Sequence, residues 1–278
     1  MKKGLLILWR IWFYLLASIP VIVLFFPLAL FALLPNGYRY VFWTARNIWA
    51  PFVLLGMGFW VKKTSPFPEE GKSFMIIANH TSYMDVMVIL RLRKTPFVFV
   101  GKKELVKIPF FGFLYKRAAI MVDRSSSKSR FEVYGRAQKV IAKGYSVCIF
   151  PETEYIDESI LLNPFKQGAF KLAIEHKLPI LPLVFLDCKR KFPWYTTHGF
   201  PGDLRAQALE IIPTANLKES DIPKLLEQAH QSLKTALLSD PKRHSEEAIR
   251  IWKERVYKQI LSTGILSLSF KSSSALIT

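Results

Sequence analysis

Residues 73–92 read SFMIIANHTSYMDVMVILRL, and this stretch decides the fold of the chain. The apolar run that ends at Asn79 predicts a buried strand, and Tyr83 to Leu92 predicts a helix. A short polar loop connects the two. In parallel α/β sheets, ligands gather at the carboxyl ends of the strands. We therefore expect a functional site in this loop.

The same alternation of short apolar runs and helical stretches continues along the chain. Further strands are predicted at 97–100, 118–122, 145–150, 178–185 and 208–212. Helical stretches are predicted at 102–107, 110–116, 128–143, 166–176 and 221–238. This order predicts an α/β domain whose mostly parallel sheet is flanked by helices.

Composition narrows the class of protein. The chain has 278 residues, and 39 Lys and Arg against 21 Asp and Glu give a net charge of +18. Such a charge favours an anionic partner: nucleic acid, an anionic membrane or an acidic substrate. A hydrophobic content of 51% excludes a disordered chain, and two cysteines, Cys148 and Cys188, exclude a disulfide-stapled scaffold.

The N-terminal region resembles a membrane anchor. Residues 11–38 include no charged residue, and these 28 positions would extend about 42 Å as a helix, against a hydrocarbon core of about 30 Å. A cleaved signal peptide also begins with Lys and an apolar run, but this run is too long and lacks a small-x-small cleavage site. Pro20 and Pro27 favour a bent insertion over a straight span.

A second apolar stretch, Asn47 to Val61, has only 15 uncharged residues and predicts an interfacial or re-entrant helix. Together the two stretches predict a membrane-embedded helical hairpin. We expect an anchor over residues 1–63, a catalytic domain over 64–240 that begins with a Pro-containing linker, and a basic amphipathic helix with a frayed Ser-rich tail over 241–278.

His80 and Asp85 are the residues that suggest chemistry. A histidine titrates near neutrality, and an acid five residues later, in the first turn of the helix, can fold back to its ring and stabilise the imidazolium. The same residues fit a second interpretation. Ser82 and Asp85 have the spacing of a capping box, which needs no catalysis. Both interpretations remain open from these residues alone.

Six blocks in one order extend the pattern beyond this loop. They are NHTSYMD (79–85), GKKEL with IPFFG (101–112), AIMVDR (119–124), FPE (150–152), FKQGAF (165–170) and LPILP (178–182). They resemble, in order, the NHxxxxD motif and the later motifs of glycerolipid acyltransferases, specifically the 1-acylglycerol-3-phosphate (lysophosphatidic acid) acyltransferases. The resemblance covers about residues 71–212.

The resemblance implies an acyl transfer reaction. A fatty acyl group would pass from acyl-CoA or acyl carrier protein to the free hydroxyl of 1-acylglycerol 3-phosphate, with no cofactor. His80 would be the general base and Asp85 its supporting carboxylate. Lys102 and Arg124, at matched positions, would bind the acceptor phosphate, and Lys166 is a further candidate ligand. Glu152 would accept a hydrogen bond from the acceptor hydroxyl or pair with Arg124.

One departure from the family pattern concerns the acceptor. After Phe150-Pro151-Glu152 the family has Gly-Thr-Arg, whereas this chain has Thr153-Glu154-Tyr155. The arginine that the family is thought to direct at the phosphate is missing, and Glu154 would repel a phosphate. Another lysolipid, such as an aminolipid, is therefore an alternative acceptor.

We expect a membrane-bound enzyme of phospholipid biosynthesis whose catalytic domain lies on the cytoplasmic face, which in a bacterium means the inner membrane. The partners expected are membrane lipids, a lysolipid acceptor and an anionic thioester donor. A non-catalytic lipid-binding scaffold is the rival hypothesis. Nucleic acid binding is not expected because no aromatic-basic RNA motif accompanies the charge. No metal-ligand motif is present in the sequence either.

Overall fold

The computed structural model describes residues 2–122, 127–152, 160–194 and 197–242. Arg124, Thr153, Glu154 and Tyr155 lie outside the described residues, as does the expected C-terminal helix with its tail.

A seven-stranded sheet is the centre of the described part of the chain. Its strands are β1 Phe59–Lys63, β2 Met75–Ala78, β3 Phe97–Lys102, β4 Ala119–Val122, β5 Ser146–Ile149, β6 Ile180–Phe185 and β7 Gly202–Ala208. Their order across the sheet is β1-β7-β6-β2-β5-β3-β4. Neighbouring strands are parallel except for the antiparallel pair β6 and β7. The predicted α/β fold with a mostly parallel sheet is confirmed.

Helices cover both faces of this sheet. The described helices are α1 Lys2–Val23, α2 Phe25–Leu33, α3 Tyr38–Thr44, α4 Ala50–Gly56, α5 Met84–Leu92, α6 Phe111–Ala118, α7 Ser127–Ile141, α8 Gly168–Glu175, α9 Cys188–Lys191 and α10 Ile222–Ser239. A π-helical turn, Ala45–Trp49, joins α3 to α4, and 3-10 turns lie at Lys103–Lys107 and Glu219–Asp221.

The central strand β2 separates two hydrophobic cores. Its four residues are fully buried, and they alternate between the faces of the sheet. Ile76 and Ala78 join the core formed with α1, α4 and α5, whereas Met75 and Ile77 join the core formed with α7, α8 and α10. A strand apolar on both faces is typical of a parallel sheet covered by helices, so β2 holds the loop that follows it on a rigid support.

The first apolar stretch forms α1 and α2. Gly4–Val23 is long and apolar enough to cross a membrane. Pro20 lies inside α1, and the helix is interrupted at Leu24, four residues later. The apolar stretch therefore forms two consecutive helices, and a bent insertion into a membrane remains a prediction.

The second apolar stretch packs back on α1, as expected of a helical hairpin. The Trp49 indole donates to the Ala17 carbonyl and the Trp12 indole to the Gly56 carbonyl, each at 2.9 Å. These two pairs show that the second stretch runs antiparallel to α1. Gly56 permits the close approach, because a Cβ there would lie 2.6 Å from a methyl carbon of Leu16. Insertion of the hairpin into a membrane remains a prediction.

Two sequence expectations differ from the structure at the edges of the sheet. The helix expected over Asn47 to Val61 ends at Gly56, and β1 begins at Phe59, because β7 offers it a parallel partner. β1 thus lies in the sheet, on the anchor side of the expected domain boundary at residue 63, and the division into domains remains a prediction. The strand expected at 208–212 is instead Gly202–Ala208, and Ile212 makes only an isolated bridge to Ile180.

Candidate active site

His80 lies in the loop between β2 and α5, at the carboxyl edge of the sheet. Because β2, β3, β5 and β6 are mutually parallel, the residues that end or follow these strands meet at this edge. They include Lys102 at the end of β3, Glu152 after β5 and Asp187 after β6. The topology therefore brings residues from four strands to one rim.

The His80 ring is held by Asp85. The Nδ1 atom of His80 lies 3.0 Å from Oδ2 of Asp85. The same oxygen accepts the backbone N–H groups of Thr81 at 2.7 Å and Ser82 at 2.8 Å. The Asp85 side chain is fully buried, whereas that of His80 is 27% exposed. The cap and the His-Asp pair, which were alternatives from sequence, are thus both formed by one carboxylate.

Ser82 and Asn79 stabilise this loop. The Ser82 hydroxyl accepts the Met84 N–H at 3.0 Å and donates to the Phe192 carbonyl at 2.5 Å, and the residue is fully buried. These contacts are those of a helix cap. The Asn79 amide pairs with both backbone groups of Phe185 at the end of β6, at 2.8 and 3.0 Å. Both side chains therefore fix the position of the loop.

Two aromatic rings enclose the imidazole. The Phe150 ring is stacked on the His80 ring with centroids 3.8 Å apart and planes inclined by 11°. The Trp194 ring meets His80 edge-on at 4.4 Å. Such contacts restrict rotation of the imidazole and keep water from its faces. Sequence reasoning missed both roles: Phe150 occurs in a matched block, but nothing in the sequence points to Trp194.

Glu152 stabilises the His80 loop through a hydrogen bond. Its Oε1 accepts the His80 backbone N–H at 2.6 Å, and its Oε2 accepts the Asn163 backbone N–H at 3.0 Å and the Asn163 side-chain amide at 3.2 Å. Burial raises the pKa of this carboxyl, and the hydrogen bonds from His80 and Asn163 offset only part of that rise. Asn163 is a second residue that sequence reasoning missed.

Lys102 and Lys166 lie at the rim with exposed side chains. Lys166 follows the bridge between Glu152 and Phe165, and its N–H donates to the Pro151 carbonyl at 2.8 Å. Before Lys102, Gly101 accommodates Tyr115, because a Cβ there would lie 2.0 Å from the Tyr115 hydroxyl oxygen. This close approach explains why the first residue of the GKKEL block is a glycine.

The cysteines lie in the interior. Burial raises the pKa of the Cys148 thiol in β5. For Cys188, burial and then the nearby Asp85 carboxylate raise the pKa. Both thiols therefore stay protonated, and a thiolate nucleophile is not available at either residue. Within the described ranges, no three or more His, Cys, Asp or Glu residues are grouped to hold a metal ion.

The segment after α9 links this site to α1. Pro193 bridges to Ser82, and Phe192 packs edge-on against Trp9 at 5.1 Å. Phe13 of α1 contacts Phe192 at 5.1 Å and stacks on Tyr83, beside the loop, at 5.3 Å. The apolar N-terminal helix thus forms part of the packing around the His80 loop.

Comparison with known proteins finds similarity over the segment that includes this site. The sequence profile of the Acyltransferase family matches residues 60–186. This segment of the chain is similar to the Acyltransferase family. The matched segment includes His80, Asp85 and Glu152, whereas Trp194 and α1 lie outside it.

Individual relatives of this chain carry the name expected from the sequence blocks. The human 1-acyl-sn-glycerol-3-phosphate acyltransferase beta is 30% identical over 178 residues, which cover 61% of this chain and 62% of that protein. The 1-acyl-sn-glycerol-3-phosphate acyltransferase of Cocos nucifera is 30% identical over 173 residues, covering 60% and 56% respectively. This chain therefore spans about three-fifths of the length of these relatives. The resemblance to glycerolipid acyltransferases is confirmed.

The fold of the chain also has a known counterpart. The crystal structure of the 1-acyl-sn-glycerophosphate (LPA) acyltransferase PlsC from Thermotoga maritima superposes with a TM-score of 0.69 at 20% identity. The match covers 86% of this chain and 99% of the Thermotoga chain. At 20% identity this similarity concerns the fold alone, and it covers most of the chain.

Proposed function

We propose that this protein transfers a fatty acyl group from a thioester donor to the free hydroxyl of 1-acylglycerol 3-phosphate, giving phosphatidic acid in phospholipid biosynthesis. The observation that carries the proposal is the His80–Asp85 pair, in which a partly exposed imidazole is fixed by a fully buried carboxylate at 3.0 Å. The match to the Acyltransferase family and the names of the relatives support the reaction class.

The hydrogen-bond network assigns a role to each nitrogen of His80. With Nδ1–H donating to Asp85, Nε2 is the nitrogen with a free lone pair. Nε2 takes the proton of the acceptor hydroxyl while its oxygen attacks the thioester carbonyl. The carbon–sulfur bond then breaks, and the imidazolium returns the proton to the leaving thiolate. Asp85 stabilises the imidazolium between these steps, and no acyl-enzyme is required.

The acceptor phosphate would be held by cations at the same rim. Lys102 ends β3, which is two strands from β2, so its Cα lies about 10 Å across the sheet from the end of β2. A lysine side chain and the glycerol unit of the acceptor together bridge such a distance. Arg124, outside the described residues, and Lys166 are the further ligands that we propose. Glu152 would contact the acceptor hydroxyl only by sharing an oxygen that already accepts a hydrogen bond from His80 or from Asn163.

The positive charge of the chain would attract both the acyl donor and the membrane. Acyl-CoA and acyl carrier protein are strongly anionic, as is the cytoplasmic leaflet of many membranes, and the net charge is +18. Lys and Arg precede, separate and follow the apolar stretches, which favours a hairpin in one leaflet with the catalytic domain on the cytoplasmic side.

A second acceptor class is favoured by one observation, the Thr153-Glu154-Tyr155 sequence. A carboxylate at Glu154 suits the amine of an aminolipid better than a phosphate monoester. In that case Glu154→Gln would reduce the preference for the amine-bearing acceptor. If phosphatidic acid is the product, Glu154→Gln leaves turnover unchanged, and Tyr155→Arg lowers the KM for lysophosphatidic acid or leaves it unaltered.

The test is an assay of the purified full-length protein in neutral detergent with a panel of lysolipids. Each acceptor is paired with acyl-CoA and with acyl carrier protein, and products are resolved by mass spectrometry. We expect phosphatidic acid from lysophosphatidic acid, and we expect loss of the reaction in His80→Ala. The matched control is His176→Ala, because His176 follows α8 at the opposite edge of the sheet. Lysolipid binding without product from any pair would instead establish a non-catalytic scaffold.

A further inference from the structure

A second concave site lies at the opposite edge of the sheet from His80. This cavity has a volume of about 400 Å³. Its lining residues come from α3, the π-helical turn and the segment before β3: Arg39, Tyr40, Phe42, Trp43, Arg46, Asn47, Lys94 and Pro96. We call it the basic cleft. Because β2, β5 and β3 are parallel, the segment that enters β3 and the loop that leaves β2 lie at opposite edges. The basic cleft is therefore separate from the candidate active site.

The basic cleft concentrates positive charge. Arg39, Arg46 and Lys94 line it, and within the described part of the chain its lining includes no carboxylate. Arg91 adds a fourth cation next to it, since its guanidinium donates to the Arg46 carbonyl at 3.0 Å. Burial, and after it the charge of Arg91, lower the pKa of the Arg46 guanidinium. An anion placed in the cleft would relieve this repulsion.

The charge of Glu70 acts to raise the pKa of Arg46, but the Glu70 carboxylate itself contacts Thr95 and Arg93. Its Oε2 accepts the Thr95 N–H at 2.7 Å and the Thr95 hydroxyl at 2.6 Å, and it lies 3.5 Å from the buried Arg93 guanidinium. These contacts compensate the Arg93 charge and cap the turn at Thr95. The positive charge of the cleft itself is therefore left largely without a counter-charge from the protein.

Hydrogen-bond donors remain available in the basic cleft. Arg46 uses Nε for the Arg93 carbonyl at 2.9 Å and Nη1 for the Asn47 side chain at 2.5 Å, and among the described residues its Nη2 has no acceptor. Arg39 lies over the Tyr40 ring and donates to its hydroxyl, and Lys94 is exposed. Two guanidinium groups and an ammonium around one cavity match the geometry of a phosphate better than that of a single carboxylate.

The surroundings of the basic cleft indicate a ligand with an apolar part. Trp43 and Tyr40 line it with exposed fractions of 57% and 41%. The chain that leads into α3 carries exposed Leu33 and Leu34 at the end of α2. Cations combined with Trp and Tyr beside apolar surface are typical of a site at a membrane–water interface.

We propose that the basic cleft binds the phosphate of an anionic phospholipid headgroup, with the acyl chains of that lipid lying against the apolar end of α2. This lipid is neither donor nor acceptor of the reaction proposed above, and its binding involves no covalent step. Since α3 and the segment that leads into β3 both line the cleft, the bound lipid would hold the N-terminal helices against the sheet.

The test measures binding of a lipid that is not an acyl acceptor. Dihexanoyl phosphatidylglycerol, kept below its micellar concentration, is titrated into the full-length protein in neutral detergent and followed by calorimetry. Dihexanoyl phosphatidylcholine and inorganic phosphate at equal ionic strength are the comparison ligands. We expect Arg39→Gln with Lys94→Gln to weaken phosphatidylglycerol binding by about tenfold or more, and we expect Lys94→Arg to retain it.

The matched control is Lys224→Gln with Lys234→Gln. It removes the same charge from exposed positions on α10, which packs on the other face of the sheet. We expect this control and His80→Ala to bind like the wild type. Equal weakening in the two double variants would overturn the proposal in favour of general charge attraction. Absence of binding, equal affinity for phosphatidylcholine, or equal affinity for inorganic phosphate would also overturn it. The assay is independent of acyl transfer, so its result stands apart from that of the proposed reaction.

Discussion

Replacing Asp85 by asparagine tests the catalytic pair while keeping its shape. In the wild type, Oδ2 accepts three hydrogen bonds, from His80, Thr81 and Ser82. An amide oxygen in the same position still accepts from the backbone, so the loop persists. The backbone N–H groups of Thr81 and Ser82 then bond to a neutral amide oxygen instead of a carboxylate. This change lowers the free energy of unfolding by about 1 to 3 kcal/mol, which corresponds to a fall in Tm of roughly 2 to 10 °C.

The catalytic effect of this substitution is larger because the counter-charge of the imidazolium disappears. With 3.0 Å between Nδ1 and Oδ2, the charge centres are about 4 Å apart, and their attraction is about 4 kcal/mol at an effective dielectric constant of about 20. At about 1.4 kcal/mol for each factor of ten, turnover should fall about 10²- to 10³-fold.

The assay is the initial rate of thiol release from acyl-CoA with lysophosphatidic acid, at a temperature well below the Tm of the variant. Thermal unfolding of each preparation reports whether the loop is folded. The control is Glu227→Gln, which makes the same change of group on the exposed face of α10 and should leave the rate unchanged. A folded Asp85→Asn protein with turnover near that of the wild type would refute the catalytic pair and leave Asp85 as a cap.

Three further predictions concern the surrounding residues. Glu152→Gln should lower kcat about 10- to 100-fold with little change in acceptor KM, because Oε1 holds the His80 loop and Oε2 holds Asn163; a rise in KM alone would assign Glu152 to the acceptor. Lys102→Ala should raise the KM for lysophosphatidic acid about tenfold or more, whereas Lys224→Ala should not; equal effects would remove Lys102 from the binding site. Asp187→Asn should lower the free energy of unfolding at pH 7 by about 3 kcal/mol, measured by chemical denaturation, since Asp187 is buried between Arg190 and Arg205. Burial alone would raise the pKa of Asp187, but hydrogen bonds from Arg205 and Arg190 outweigh it and hold the pKa below the usual 3.8. Asp187 therefore contributes to the free energy of unfolding above about pH 4, and this contribution is lost as the pH falls through the lowered pKa. An equal effect of Asp187→Asn on the free energy of unfolding at pH 3 and at pH 7 would contradict this assignment.

The parts of the fold predicted from sequence are those with local signals. The strand before His80 is apolar on both faces, and the helix after it begins with a cap, so periodicity and capping identify both. The pairing of His80 with Asp85 follows from the same turn. These residues are close in sequence, and one turn of helix fixes their distance.

The parts that were missed depend on partners far along the chain. β1 is an edge strand and β7 lies next to it, and both carry charged residues. β1 forms because β7 lies beside it, and β7 forms because it pairs with both β1 and β6. Trp194 and Asn163 reach the His80 loop only because β5 and β6 end next to β2. No local pattern encodes such contacts, since the sheet order creates them.

The packing of α1 on the His80 loop has a consequence for protein engineering. Deleting an N-terminal apolar helix is the usual route to a soluble fragment, but here deletion would uncover Phe192 and Tyr83 and leave the loop without its neighbour Phe13. The outward face of α1 carries its own apolar residues, among them Leu5 at 70% and Leu8 at 62% exposure. A soluble form of this protein therefore calls for polar substitutions on that outward face, with the inward face of the helix retained.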